Sequence, residues 1–259
     1  MIRPLVDADL TDALALSESA GWNQIDSDWR VLLMLSNCFG VEVDRQLVAS
    51  IGVTCYGSDL AWIGMVLTLP EHRGRGYASQ LMTHAMDFAL ARNMRCIKLD
   101  ATELGAPVYR KFGFEDECVV ERWKGGSLRL DIEGSVGDVN LDLDRAAFGA
   151  DRAPLLSMLK GNNYRVEDDA HAFLRGGRTA RQFGPCVSTT PEAAARLAAF
   201  GTASGPTLWD LFPGNAQAVR LAHSFGFTPS RKLLRMSYQN RHLEQDPEKI
   251  YALAGFEWG

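Results

Sequence analysis

No run of eighteen apolar residues occurs in this chain, so nothing in it has the length of a membrane-spanning helix, and no membrane partner is expected. The start, MIRPLVDADLTDALAL, lacks the basic stretch and apolar core of a secretory leader, which points to a cytoplasmic protein. Cysteine is sparse and unclustered. Cys38, Cys55, Cys96, Cys118 and Cys186 form no CxxC pair and no ligand set with the five histidines, so no metal is expected and the thiols read as reduced, packed side chains. A Walker phosphate loop is missing, and the dinucleotide fingerprint fails because Ser79 and Gln80 stand where its third glycine belongs. Cationic excess is missing as well. The 27 Lys and Arg against 32 Asp and Glu leave a net charge of −5 at pH 7, which argues against a nucleic-acid binder.

What the chain does contain is a strand running into a helix through a turn rich in glycine and arginine. Ala61 to Leu69 (AWIGMVLTL) is an apolar run of strand length, and Tyr77, Leu81, Met82, Ala85, Met86, Ala89 and Leu90 recur at helical spacing. Between them lie Arg73, Gly74, Arg75 and Gly76. A helix start exposes unpaired N–H groups and partial positive charge, which suits a phosphate. Gly74 and Gly76 allow close backbone approach and an anion-binding nest; Arg73 and Arg75 add permanently charged donors. Ala78 and Ser79 keep the first helical turn small. On its own, the RGRG string also reads as an ordinary loop with solvated arginines.

The segment Arg73-Gly74-Arg75-Gly76-Tyr77-Ala78 resembles the acyl-CoA signature of the GNAT superfamily of N-acyltransferases, with Arg73, Gly76 and Ala78 in the three defining places. A second element of that family is similar to KLDATELGAPVYRKFGFED, Lys98 to Asp116, a strand followed by a tyrosine-bearing helix that ends in Phe-Gly-Phe. TLWDLFPGNAQAVRLAHSFGFTP, Thr207 to Pro229, repeats this second element, with Asn215 answering Thr102 and Ala222 answering Tyr109, but no glycine-arginine turn precedes it. The resemblance therefore implies an α/β (α+β) fold of two GNAT-like domains, each a mixed, mostly antiparallel sheet flanked by helices. Residues 1–133 would form the acetyl-CoA-binding domain and residues 134–259 a degenerate copy. It implies a monomer or homodimer whose partners are acetyl-CoA and an amine-bearing acceptor.

The path along the chain reads as strands at Ile2 to Val6, Phe39 to Val43, Leu47 to Cys55, Ala61 to Leu69 and Arg95 to Ala101, with Phe114 to Arg122 and Ser127 to Asp131 closing the first half. Helices are expected from Thr11 to Ser19, Asp28 to Ser36, the phosphate turn to Arg92, and Leu104 to Phe112. A linker is placed at Gly134 to Asp138. In the second half, strands are expected at Val139 to Leu143, Ala172 to Arg175, Arg181 to Val187, Thr207 to Phe212 and Ser230 to Tyr238. Helices are expected up to Lys160, over Pro191 to Phe200, and over Asn215 to Phe225. The tail from Glu244 to Gly259 is too apolar to stay in solvent and should dock on the body.

An unperturbed lysine-like amine is neutral about once in 2,500 molecules at pH 7, a handicap of roughly 4.6 kcal/mol, so amide formation from a thioester needs a proton acceptor. The resemblance implies that backbone N–H groups of Val66, Leu67 and Thr68 hold the pantetheine arm and the thioester carbonyl. It also implies that Arg73, Gly74, Arg75, Gly76, Tyr77, Ala78 and Ser79 hold the pyrophosphate, and that Tyr109 meets the leaving thiolate as the catalytic residue. Thr102 is a candidate cofactor contact and equally a helix cap. Trp22, Asn23 and Gln24 are candidates for the acceptor site. The proton acceptor is left open among Asp28, Asp100, Glu103, His72 and a water chain. The activity expected is N-acetyl transfer to a small amine or peptide; the alternative is a CoA-binding regulatory or scaffold protein without turnover.

Overall fold

Leu47 to Thr54 are buried without alternation, which a strand shows only when both faces of its sheet are covered. The same continuous burial recurs at Ala170–Arg175 and Thr207–Leu211. A computed structural model accounts for it; the structure describes residues 1–125, 137–160, 163–167, 169–202 and 205–259.

The first half runs β1 (Ile2–Pro4), α1 (Leu10–Ser19), α2 (Asp26–Leu35), β2 (Ser36–Val43), β3 (Gln46–Tyr56), β4 (Leu60–Thr68), α3 (Tyr77–Ala91), β5 (Cys96–Ala101), α4 (Ala106–Arg110) and β6 (Phe114–Gly125). The second runs α5 (Leu141–Phe148), α6 (Ala153–Leu159), β7 (Asn163–Glu167), β8 (Ala170–Arg175), β9 (Arg181–Ser188), α7 (Pro191–Thr202), β10 (Thr207–Leu211), α8 (Ala216–Ser224), β11 (Thr228–Tyr238) and β12 (Ile250–Ala252). Each half contains a parallel pair joined by a crossover helix, β4 to β5 through α3 and β9 to β10 through α7. Most other pairings are antiparallel, so the fold is the expected mixed sheet flanked by helices.

The halves share one sheet. Its order is β1-β2-β3-β4-β5-β11-β6-β10-β9-β8-β7, with β12 also pairing with β9. β11 of the second half lies between β5 and β6, and β6 of the first half reaches β10, with Trp123 opposite Trp209. Each parallel pair is thus extended by a strand that the other half supplies. The apolar core crosses between the halves: the cluster around Trp29, Trp62 and Leu81 also takes in Phe148, Leu155 and Trp258, and the one around Trp209, Phe183 and Phe227 takes in Trp123.

One expected strand is a helix. Residues 139–143 alternate apolar and polar, but the Asn140 side chain accepts a hydrogen bond from the Leu143 N–H at 3.0 Å and caps α5. Ala147 and Phe148 are then buried on one face of that helix. Strand β7 was not anticipated. The expected strand Ser127 to Asp131, and most of the linker at Gly134 to Asp138, lie outside the described residues.

The tail docks as its composition demands. β12 pairs with β9, Trp62 Nε1 donates to the Phe256 carbonyl at 3.0 Å, and the Tyr56 hydroxyl donates to the Trp258 carbonyl at 2.8 Å. Ile250, Tyr251, Leu253 and Trp258 are buried, each worth about 1.5–3 kcal/mol of transfer free energy. Among the described residues no helix is long and apolar enough to cross a membrane.

Candidate active site

β4 and β5 are hydrogen-bonded only over Leu60–Ile63 and Cys96–Leu99. Beyond Ile63, β4 continues to Thr68 against β3 alone, so the two parallel strands part and the sheet opens. At the parting point Met65 takes φ +53°, a costly value for a side chain with a Cβ, and the β3–β4 register shifts between Ser50 and Gly52. The buried Ser50 hydroxyl donates to the Met65 carbonyl at 2.9 Å and fixes this bulge. A bulge in an otherwise paired strand frees backbone groups at a fixed place, which is what polarising a carbonyl requires.

The opening is a cleft of about 570 Å³, within the usual size of small-molecule sites. Val66, Leu67, Thr68, Arg73 and Ala78 line one side, and Thr102 and Tyr109 line another with Gly105 and Val108. Trp22 and Gln24 also line it. With Asp100, ten of the residues singled out from sequence therefore meet in one place.

The remaining members of the phosphate turn stand beside it. Gly74 and Gly76 have φ of +73° and +80°, values that favour glycine, and a Cβ at either would meet no heavy atom within 3.8 Å. The backbone there is open to a ligand. Gly76 begins α3 without a side-chain cap, leaving the N–H groups of Tyr77, Ala78 and Ser79 free of helical partners. Arg73 Nε donates to the Thr68 carbonyl and Arg75 Nη2 to that of Glu71, each at 3.2 Å, which folds both exposed guanidinium groups over the turn. This turn fits a diphosphate.

Tyr109 is half-buried on α4, and burial pushes its hydroxyl up to about 12, so it is a proton donor throughout the physiological range. Thr102 Oγ1 accepts from the Gly105 N–H at 3.1 Å, so it caps the α4 turn while lining the cleft. Asn23 is used elsewhere. Its Nδ2 donates to the Ala180 carbonyl at 2.8 Å and its Oδ1 accepts from the Thr179 N–H at 2.9 Å, so it ties the loop at residues 22–24 to the second half. Arg178 Nε reinforces that tie with a 3.0 Å bond to the Trp22 carbonyl.

Four carboxylate or imidazole candidates separate clearly. Asp28 caps α2 through the Ile25 N–H at 2.9 Å and pairs with Arg175 at 2.6 Å. Asp100 lines the cleft but accepts two 2.9 Å bonds from Arg235. Glu103 is exposed, and neither it nor His72 lines the cleft. Sequence reasoning missed Glu257. This tail residue is buried, lines the cleft, and accepts from Arg175 Nη2 at 2.5 Å; burial raises its carboxyl above the ordinary range despite the nearby guanidinium. A lone glutamate inside the apolar FEW segment was the available signal. Burial likewise raises the thiols, Cys38 to about 12 and Cys96 to about 11, which leaves them neutral packing groups.

The second copy lacks this equipment. Asn215 Oδ1 accepts from the Gln217 and Ala218 N–H groups at 3.0 Å, while its Nδ2 holds the tail carbonyls of Glu248 and Ile250. Ala222, at the place of Tyr109, is fully buried.

The acetyltransferase (GNAT) domain profile matches residues 35–116, and a second acetyltransferase (GNAT) profile matches residues 140–252. The chain is 34% identical to streptothricin acetyltransferase of Escherichia coli over 82 residues, 30% of this chain and 47% of that protein, so it spans about half the length of that relative. It is 28% identical to YitH, an uncharacterized N-acetyltransferase of Bacillus subtilis, over 74% of each chain. In fold it is similar to a Pyrococcus horikoshii protein provisionally classed as an acetyltransferase, at TM-score 0.86 and 20% identity over 100% of this chain and 95% of that one. It is also similar to a tandem GNAT protein of the clavulanic acid biosynthesis pathway, at TM-score 0.66 and 12% identity over 92% and 97% of the chains. With the strand-parting cleft in its first half, and two matched spans that together cover most of its length, this chain belongs to the GNAT acetyltransferase family and carries two such domains in tandem.

Proposed function

We propose that the protein is an acetyl-CoA-dependent N-acetyltransferase acting on a primary amine, with residues 1–133 as the working domain and 134–259 as a degenerate copy. The second copy, without the arginine turn and with Ala222 for Tyr109, binds no CoA and instead supplies β11, the 178–180 loop and the tail that complete the cleft. The observation that carries this reading is the bulged parting of β4 from β5, placed between the open glycine turn and Tyr109.

Acetyl-CoA would supply an activated thioester. The turn at Arg73 to Ser79 grips its diphosphate, and the freed backbone of Val66 to Thr68 orients the pantetheine arm and polarises the carbonyl. Trp22 and Gln24 admit the acceptor. Glu257 takes the amine proton as the new C–N bond forms, and the C–S bond breaks with its electron pair on sulfur. Tyr109 donates a hydrogen bond to that thiolate. Because the Tyr109 hydroxyl is held well above an ordinary thiol, it stabilises the leaving group rather than surrendering its proton outright.

The test is release of free thiol from acetyl-CoA in the presence of polyamines, amino acids, aminoglycosides and peptide N-termini, scored by a thiol reagent. Tight acetyl-CoA binding without thiol release for any amine would favour a CoA-binding regulator instead.

A further inference from the structure

We propose that the acceptor amine also carries an anionic group, a carboxylate in the first instance, and that Arg231 receives it. This rests on the acyltransferase reading of the same cleft and adds the class of acceptor.

Outside the phosphate turn, four charged side chains line the cleft. Three are matched: Arg122 donates two 2.7 Å bonds to Asp210, Asp100 accepts two from Arg235, and Glu257 accepts from Arg175. Arg231 has no hydrogen bond and no ion pair among the described residues. Arg231 is exposed at the rim of the cleft, and it opposes Arg122 in the β11–β6 register. Desolvation first and then the Arg122 charge lower its proton affinity while Asp210 raises it, so an anion placed there would add a direct partner that the Arg122–Asp210 pair does not supply. Its position is also right. Leu234 pairs with Ala101, the last residue of β5, so Arg231 lies three residues past the end of that strand, where the sheet has opened.

The same cleft holds the complementary charge. Behind the cleft wall one guanidinium, Arg175, is shared between two buried carboxylates, Asp28 and the cleft-lining Glu257, so Glu257 is only partly neutralised when ionised. Gln24, 6% exposed, lines the cleft with its Oε1 unpartnered, an acceptor awaiting an N–H donor. Acceptors in excess suit an amine, and a planar guanidinium fork suits a carboxylate. A polyamine would bring like charge to Arg231, and a simple alkylamine would leave it unused.

The experiment compares thiol release with glycine, β-alanine and 4-aminobutyrate against their carboxamides and against polyamines, using the full chain. At least one carboxylate-bearing amine is expected to exceed its own amide by about 10- to 100-fold in kcat/KM. Arg231→Gln should raise the KM for that amine by a similar factor and leave acetyl-CoA KM within about twofold, and Arg231→Lys should recover part of the loss. Equal use of acids and amides, or a loss in Arg231→Gln confined to acetyl-CoA KM, would overturn the proposal. Should no amine release thiol, the acyltransferase reading falls and calorimetry still decides this one. Binding of the corresponding N-acetylated acids, lost in Arg231→Gln, would support an anion site, and no binding to either protein would remove it.

Discussion

The backbone of Glu257 rests on Gly64: a Cβ on Gly64 would come 2.8 Å from the Glu257 carbonyl oxygen and 3.2 Å from its Cα. Gly64 is the first β4 residue past the parallel pairing with β5, so the last residues of the chain are seated where the sheet opens. The cleft is therefore complete only when the tail is docked.

Gly64→Ala should unseat that tail. The contact is with backbone, which cannot rotate away, so a cost of about 1–3 kcal/mol is expected. Hydrogen exchange at residues 253–259 should rise sharply while β2 and β3 stay protected, and thiol release should fall more than acetyl-CoA affinity. Undiminished protection of the tail would show that the contact is slack.

Gly76→Asp should abolish binding of CoA. The position has φ +80° and no side-chain neighbour closer than 3.9 Å, so the new carboxylate would project beside the free N–H groups of α3 and repel the diphosphate. Calorimetry should show at least a hundredfold weaker CoA binding in a variant with unchanged circular dichroism. Retained affinity would move the phosphate site elsewhere.

Tyr109→Phe should lower kcat by about 10- to 1,000-fold and leave the acetyl-CoA dissociation constant nearly unchanged, since the hydroxyl is asked to act only as the C–S bond breaks. Equal turnover by the variant would remove Tyr109 from the chemistry.

That the glycine-arginine turn and Tyr109 meet at one cleft follows from local chemistry legible in the sequence: glycines at a strand-to-helix junction, arginines beside them, and a tyrosine one helix later. Asn140 was misread because VNLDL alternates like a strand, and only the cap geometry reveals the helix. Glu257, whose one trace was its apolar setting, and Arg231 were not placed in the cleft for a different reason. They enter the cleft through β11 and the tail, more than a hundred residues from β5, and a strand inserted between β5 and β6 leaves no periodic trace. Long-range sheet order was the missing information.

Asn23 supplies a test of that long-range assembly. Its amide joins the loop at residues 22–24 to Thr179 and Ala180, so Asn23→Ala should cost about 1–3 kcal/mol through the partners it leaves unsatisfied. Thermal unfolding should shift downward, whereas Trp22→Ala and Gln24→Ala should chiefly raise the KM of the acceptor. A large rise in acceptor KM for Asn23→Ala without loss of stability would return Asn23 to the substrate site.

The raised Glu257 carboxyl sets an expected pH dependence. Burial favours its protonated form, so the folded chain holds a proton that the unfolded chain releases near 4.5. Between those two values the folded state binds more protons, and its contribution to stability declines as pH rises. Catalysis runs the other way, because only the ionised carboxylate accepts the amine proton. Activity should therefore fall on acidification along a limb centred above the ordinary carboxylate range. Glu257→Gln should abolish that limb, reduce kcat by about 100- to 10,000-fold, and gain relative stability as pH rises through the same window. Profiles of kcat against pH for both proteins, with thermal unfolding at matched pH, measure all three. An acidic limb that survives in Glu257→Gln would assign the proton acceptor to another group.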